Sequence, residues 1–475
     1  MSEIESAKIE SIASSLRKIV SEEFVSAALI ERIVSAEDTF SYELREEEVP
    51  YAVVMPGSKE EISEILKYAN KEKIPVFVRG SASQLAGSTR PHTHGIMLSI
   101  DRLNKMEILE DYNFFECGPG CIVAKVAEEL GRLGFFLPVY PGSRRIARMG
   151  GIVSNNTSAH IVDTSIGKLG DYILGVEVVL PNGDILETGT KGMRRPAGTD
   201  LTKFFVGGDG LLGVITKIRI RLVPDFEYSY AVVYFNDVRS LTRGVQRMYY
   251  EKRPSPLLME MMNEETARVG FSAKGLPAPK GAVLFFESIG YSQEEAETRR
   301  EQVIQSLKAE NPIEVERMEG IEEWEGIVST REVIASFLCQ NSGAQWKAAE
   351  VIPNLKYLPE ATEECENFTQ GLPICGSLEH YLYGHIGAVS LHPGILIPRD
   401  WDSEKQREAI KELFEREAEL NLKYGSCGGE WGQFSKRTSF FIRRYGKEGY
   451  EFVKSIKKAI DPNNILNPGI LEGYR

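Results

Sequence analysis

Gly207-Gly208-Asp209-Gly210-Leu211-Leu212-Gly213 runs directly into Val214-Ile215-Thr216-Lys217-Ile218-Arg219-Ile220-Arg221-Leu222. That junction decides the fold. Gly208, Gly210 and Gly213 satisfy the spacing Gly-x-Gly-x-x-Gly. A dinucleotide-binding Rossmann unit needs the motif to follow a strand and open a helix, so that pyrophosphate sits on the helix N-terminus. Here the following residues alternate apolar and charged side chains, the period-two pattern of a strand. The Rossmann reading is therefore rejected.

Two further glycine-rich segments precede this one. They are Arg79-Gly80-Ser81-Ala82-Ser83-Gln84-Leu85-Ala86-Gly87 and Gly150-Gly151-Ile152-Val153-Ser154-Asn155-Asn156. Backbone N–H groups in such loops make concave anion sites. Three in one region predict a large phosphate-bearing cofactor held mainly by main chain. The surroundings of the first loop support this. Ser58 and Glu61 read as a helix capping box. Ile62, Ile65, Leu66 and Ala69 share one helical face. Ile74-Pro75-Val76-Phe77-Val78 is a short apolar strand feeding the loop. Strand-like sequence near Phe114–Glu116 precedes a second helix with Val123, Val126, Ala127 and Leu130 on one face, and Gly134 as a C-terminal cap.

On these motifs the chain resembles the vanillyl-alcohol-oxidase-type (PCMH-type) FAD-binding family. It is most similar to the branch of glycolate oxidase FAD subunits, D-lactate dehydrogenases and D-2-hydroxyglutarate dehydrogenases. Pro75–Ser81, Pro141-Gly142-Ser143, Gly150-Gly151, Leu174–Gly183, Gly208–Thr216 and the closing Ile460–Gly469 carry the resemblance, which extends from about residue 50 to the end. It implies an α+β fold: a two-part PCMH-type FAD-binding domain plus an α+β cap domain with an antiparallel sheet. The expected division is a charged helical segment at 1–48, the FAD-binding domain at 49–224, the cap at 225–424 and a segment at 425–475 that returns to the FAD domain. Strand-like Ala282–Phe286 and the charged helix Ser292–Ala309 fall in the cap.

The resemblance also implies the cofactor contacts, to non-covalent FAD. Arg79, Gly80, Ser81, Ala82, Ser83, Gln84 and Gly87 would cradle the pyrophosphate. Pro141, Gly142, Ser143, Gly150, Gly151, Ser154 and Asn155 would lie near the isoalloxazine or ribityl chain. Gly213 and Ile215 would line the other flavin edge, and Asn467 lies in the closing motif. His92 and His94 read as ordinary loop histidines, not covalent flavin links.

Composition narrows the partners. The 475 residues suit two domains, and the net charge of −13 argues against nucleic acid. No run approaches the ~20 apolar residues of a membrane span. The six cysteines, Cys117, Cys121, Cys339, Cys365, Cys375 and Cys427, include no Cys-x-x-Cys, so no iron–sulfur or thiol-redox framework is expected. With the acidic N-terminus, this suits a cytoplasmic protein, with membrane association through a partner as the alternative. A flavin dehydrogenase must pass its electrons on. In the resembled branch the acceptor is often a separate iron–sulfur subunit or an electron-transfer flavoprotein.

The chemistry-bearing residues lie late in the chain. Tyr383-Gly384-His385-Ile386-Gly387-Ala388-Val389-Ser390-Leu391-His392-Pro393 holds two histidines, and Cys427-Gly428-Gly429-Glu430-Trp431-Gly432 a glutamate. In the resembled branch two histidines and a glutamate at these places bind a divalent metal, so His385, His392 and Glu430 are the expected ligands of zinc, manganese or iron. Such a metal would ease loss of the hydroxyl proton. The chain departs from the branch in having Gly387-Ala388-Val389-Ser390-Leu391-His392 for the usual Gly-Asp-Gly-Asn-Leu-His. It also has Trp431 where the branch places its histidine base, and tryptophan accepts no proton.

His380 and a metal-bound hydroxide are the candidate replacements, and a bulkier substrate against Trp431 is a third option. Arg331 and Lys347 are candidate anchors for a substrate carboxylate, arginine by a bidentate contact and lysine as a point charge. The expected activity is FAD-dependent oxidation of a 2-hydroxy acid such as D-lactate or glycolate. The competing readings are a flavin dehydrogenase for a different alcohol or acid, and a non-catalytic flavin electron-transfer subunit.

Overall fold

The computed structural model describes residues 3–39, 44–84, 87, 89–157, 159–192, 198–425 and 438–471. The chain divides into two compact units. The first comprises Met1–Thr157, Lys168–Pro224 and Glu430–Arg475, the second Ser158–Gly167 and Asp225–Gly429.

The first unit contains two main sheets. In the four-stranded one the order is Val25–Ser26, Ala52–Val54, Ile96–Ser99, Val76–Arg79. Ile96–Ser99 pairs in parallel with both Ala52–Val54 and Val76–Arg79. Parallel strands of one sheet need a crossover, and the helix Lys59–Glu72 supplies the one from Ala52–Val54 to Val76–Arg79, the two strands that flank Ile96–Ser99. Its N-terminus is set by Ser58, whose hydroxyl accepts the Glu61 N–H at 3.2 Å, while Glu61 Oε2 accepts from Gly57 N at 2.6 Å. The apolar face read from the sequence, Ile62, Ile65, Leu66 and Ala69, is buried in one core with Ile12, Leu16, Val76, Ile96 and Leu98. Helix Glu3–Arg17 thus joins this core. The closing residues do so too, through Ile465 and Leu466.

The second sheet is antiparallel, in the order Met106–Leu109, Phe114–Cys117, Val214–Arg221, Ile173–Val179, Ile185–Glu187. The residues after Gly213 therefore form a central strand. Its alternation places Ile218 and Ile220 in the core.

The second unit is built on one seven-stranded antiparallel sheet. The order is Glu314–Met318, Glu227–Phe235, Ala282–Gly290, Leu258–Met262, His380–Gly384, His392–Pro398, Ala344–Ala348. Leu258–Met262 is the middle strand, and all five of its residues are buried. The charged helix Gln293–Lys308 is capped by Ser292, which accepts from Glu295 N. Together the two units make the mixed α+β architecture that the motifs imply.

Candidate active site

A carboxylate on a fully buried strand is costly unless it is paired and hydrogen-bonded. Glu260 is such a group, 0% exposed in the run Leu258-Met259-Glu260-Met261-Met262. The register pairs Met261 with Gly384, so one step further along the ladder Glu260 meets His385. Glu260 Oε1 accepts from His385 Nδ1 at 2.5 Å. The same oxygen lies 3.1 Å from His160 Nδ1. Glu260 Oε2 is 3.1 Å from Arg331 Nε, on the helix Ile321–Glu332. One buried carboxylate thus gathers two imidazoles and a guanidinium.

This arrangement fixes protonation. Burial alone would raise the Glu260 carboxyl. The positive and donor groups of His385, His160 and Arg331 outweigh that and hold it well below the usual carboxylate range. Burial pushes the His160 imidazole down, so His160 serves Glu260 as a neutral donor and Arg331 supplies the permanent charge. Arg331 Nη2 lies 3.3 Å from His385 Nε2. Since guanidinium only donates, Nε2 accepts and the proton of His385 sits on Nδ1. Arg331 also lies over the Tyr383 ring, 4.5 Å from its centroid.

His392 pairs with Tyr383 across the ladder, and its ring packs edge-on against His385 with centroids 4.9 Å apart. His392 Nε2 is 3.5 Å from Ser390 Oγ, which reaches Glu350 Oε1 at 3.3 Å. Lys347 is buried on the neighbouring strand Ala344–Ala348.

Of the residues expected to act, the structure brings His385, His392 and Arg331 together. His380 is placed elsewhere: Nε2 is 2.8 Å from Glu366 O and Nδ1 is 3.2 Å from Thr369 Oγ1. Glu430 and Trp431 lie outside the described residues. Sequence reading missed Glu260 and His160. Glu260 carries a signal, a single charge within an apolar strand. His160 carries none, because its position depends on the short segment Ser158–Gly167 folding with the second unit.

The first unit holds the expected flavin segments. Loop residues Gly80–Gln84 follow strand Val76–Arg79, with Ala82 at φ 53°. Arg79 Nη1 donates to Ser35 O at 2.7 Å, and Ser81 Oγ to Ser83 Oγ at 3.3 Å. Thr39 Oγ1 donates to Gln84 O. Gly87 is at φ 72°. Pro141, Gly142 and Ser143 form a turn in which Pro141 O accepts from Arg144 N.

Gly150 and Gly151 open the helix Met149–Asn155. A Cβ at Gly150 would fall 2.6 Å from Pro119 Cβ, so only glycine permits that approach. A Cβ at Gly151 would meet nothing within 4 Å, which leaves open room along the main chain. Ser154 O accepts from Asp209 N at 3.0 Å, and Asn155 Nδ2 lies 3.4 Å from Thr157 Oγ1. Asn467 is a clamp: Nδ2 donates to Gly210 O at 2.8 Å and Oδ1 accepts from Val78 N at 3.1 Å. Gly213 and Ile215 lead the central strand, which bulges between Ile215 and Lys217. These loops, tied to one another through Asn467 and Ser154 and open at Gly151, fit a backbone-held nucleotide cofactor.

The comparisons agree. Residues 50–189 match the FAD binding domain model, and residues 227–471 match the model for FAD linked oxidases, C-terminal domain. The chain belongs to the FAD-linked oxidases. It is 30% identical over 433 residues to the glycolate oxidase subunit GlcD of Bacillus subtilis, covering 89% of this chain and 88% of that protein. It is 28% identical to a D-lactate dehydrogenase of Archaeoglobus fulgidus, covering 88% and 90%. Among solved structures, p-cresol methylhydroxylase with substrate bound superposes with a TM-score of 0.78 at 17% identity, covering 99% of this chain and 97% of that one. Alkyldihydroxyacetonephosphate synthase gives 0.74 at 18% identity, covering 97% and 84%. This FAD-linked oxidase is thus an FAD-dependent oxidoreductase of the PCMH-type fold.

Proposed function

We propose that the protein is an FAD-dependent dehydrogenase of a small 2-hydroxy acid, of the D-lactate or glycolate class. The observation that carries the reading is the convergence of Arg331, His385 and His160 on buried Glu260. Arg331 is the anchor for the substrate carboxylate, with buried Lys347 as a second positive charge. The hydroxyl proton passes to the imidazole–carboxylate cluster, whose charge and tautomers are fixed before substrate arrives. FAD, when bound, would supply the acceptor for the C2 hydrogen and its electron pair, so that the product is a 2-oxo acid. The Gly80–Gln84, Gly150–Asn155 and Gly207–Gly213 segments would hold the cofactor by main chain.

The two electrons pass to a separate acceptor, an iron–sulfur subunit or an electron-transfer flavoprotein. The relatives named for glycolate oxidation and D-lactate oxidation support this substrate class. Among the described residues no helix is long and apolar enough to cross a membrane. Cys117, Cys121, Cys339, Cys365 and Cys375 are free thiols, which suits the reducing cytoplasm.

An anaerobic absorbance titration tests the reading. D-Lactate or glycolate should bleach the flavin bands stoichiometrically. Flavin that stays oxidised with both acids, and with D-2-hydroxyglutarate, would refute it.

A further inference from the structure

Cys117 and Cys121 are the most closely spaced of the six cysteines, and both are buried. Cys117 ends the strand Phe114–Cys117. A turn then brings the chain back, with Cys121 N donating to Gly118 O at 3.2 Å. The spacing is one residue longer than Cys-x-x-Cys, and the turn makes up the difference. The Cys117 thiol donates to Cys121 Sγ, which lies 3.4 Å from Lys105 O. We propose that these two thiols are a modification site, a dithiol that a hydroperoxide oxidises reversibly to a disulfide. None of this depends on which acid reduces the flavin.

The turn between the cysteines has little freedom. Gly118 N donates to Lys105 O and Gly120 N to Leu103 O, each at 2.8 Å. A Cβ at Gly118 would fall 2.1 Å from Leu103 O, and one at Gly120 2.4 Å from Ile100 O, so both close approaches need glycine. Thiols held in contact by a fixed turn are placed for bond formation, which cysteines on diverging backbones are not.

The pair is also polarised. The hydrogen bond from Cys117, the Gly118 backbone and the charge of Arg148 hold the Cys121 thiol below its usual range against the effect of burial. The same hydrogen bond, with burial, raises Cys117. Arg148 is itself fixed, its Nε donating to Asp101 Oδ1 at 2.7 Å. Burial instead pushes the Cys365 and Cys375 thiols up, the state of an inert structural cysteine. Cys121 is therefore the nucleophile and Cys117 the resolving thiol. The Cys121 thiolate attacks one oxygen of the hydroperoxide and the O–O bond breaks. Cys121 becomes a sulfenic acid, and the other oxygen leaves as alcohol or water with the proton that Cys121 lost. Cys117 then attacks the sulfenic sulfur, and its proton leaves with the hydroxyl as water. Two electrons pass from the sulfurs to the peroxide.

The turn is tied to one of the flavin segments. Met149 N donates to Cys121 O at 2.9 Å and Gly150 N to Pro119 O at 2.8 Å, so the start of the helix Met149–Asn155 hangs on this loop. Bond formation draws Cys121 toward Cys117, and the shift passes to Met149 and Gly150. The disulfide therefore weakens FAD binding, and bound FAD disfavours the disulfide by the same factor. A bond that forms and is reduced again is the kind a reducing compartment permits.

The test treats the FAD-loaded full chain with hydrogen peroxide, blocks free thiols by alkylation and maps the tryptic peptides by mass spectrometry. No Lys or Arg lies between Lys105 and Lys125, so residues 106–125 form one peptide that carries both cysteines. The expected result is a peptide that escapes alkylation at both positions and regains it after dithiothreitol. FAD should bind at least about fivefold more weakly to the oxidised chain. Cys117→Ser should stop at a Cys121 sulfenic acid captured by dimedone, and Cys121→Ser should leave Cys117 open to alkylation. Both cysteines alkylated after peroxide would overturn the site. Oxidation of Cys117 undiminished in Cys121→Ser would overturn the assigned roles. A disulfide that leaves FAD affinity unchanged would overturn the link to the flavin segment. If a variant fails to fold, the peptide of the unaltered protein decides whether the site exists.

Discussion

Two clusters built on a buried charged group have opposite character in this molecule. In the first unit Arg219 sits on the central strand Val214–Arg221. It donates to Glu116 Oε1 from Nε and Nη2 at 2.9 and 2.6 Å, to Glu187 Oε1 at 2.8 Å and to Thr190 O at 3.3 Å. A permanently charged group has its donors occupied by carboxylate oxygens and a backbone carbonyl, so the cluster has little proton to give. In the second unit Glu260 is shared among His160, His385 and Arg331. Two of those three partners are imidazoles, which unlike a guanidinium can carry a proton on one ring nitrogen and accept at the other. Arg219 and Glu260 are both buried and hydrogen-bonded, but only the second belongs to a cluster that can take part in acid–base chemistry. Burial of charge by itself does not mark a site. Burial of exchangeable protons beside a fixed charge does.

Substitutions can break or sharpen this contrast. The largest effect is expected for His385→Ala, which should slow flavin reduction by D-lactate about 10²–10⁴-fold with FAD content unchanged. An equal rate in stopped flow would remove His385 from the chemistry. Glu260→Ala leaves half-buried Arg331 and the buried His160 and His385 without their carboxylate and should cost about 3–5 kcal/mol of stability, read from denaturant unfolding. Arg331→Lys keeps the charge but loses the planar fork. It should lower kcat/KM for D-lactate roughly ten- to a hundredfold, mainly through KM.

Arg219→Met should cost about 1–3 kcal/mol and leave the flavin-reduction rate per bound FAD unaltered. A changed rate would erase the distinction between the clusters. The smallest effect concerns Glu287. Burial raises its carboxyl to about 7, against the lowering effect of the Trp324 indole N–H that donates to Oε2 at 2.9 Å. The unfolded carboxyl ionises near the ordinary 4.5, and the folded one resists until about 7. Its contribution to stability is therefore full below about 4.5, lost between about 4.5 and 7, and level above that. Glu287→Gln should flatten this part of the stability–pH curve, and Trp324 fluorescence should follow the same midpoint.

Much of this was legible in the sequence. Alternation in Val214–Leu222 gave the strand that excludes a Rossmann unit, and the spacing of Ile62, Ile65, Leu66 and Ala69 gave a buried helix face. Both signals are local, since each depends on the period of one element. His385 and Arg331 were legible through motif order. The middle of the site was not. Glu260 reaches His385 because two strands 125 residues apart in sequence pair in one register. His160 reaches Glu260 because ten residues depart from the first unit and fold with the second. No local pattern records either event. His380, close to His385 in sequence, is turned to Glu366 and Thr369, so proximity along the chain was a poor guide to membership.

The most direct test of the central claim is anaerobic stopped-flow reduction of the bound flavin by D-lactate and glycolate. It compares the unaltered protein with Glu260→Gln at matched FAD content. Reduction by one of these acids in the unaltered protein, slowed at least about a hundredfold in the variant, is the predicted result. Equal rates in the two proteins, or flavin that neither acid reduces, would contradict the account.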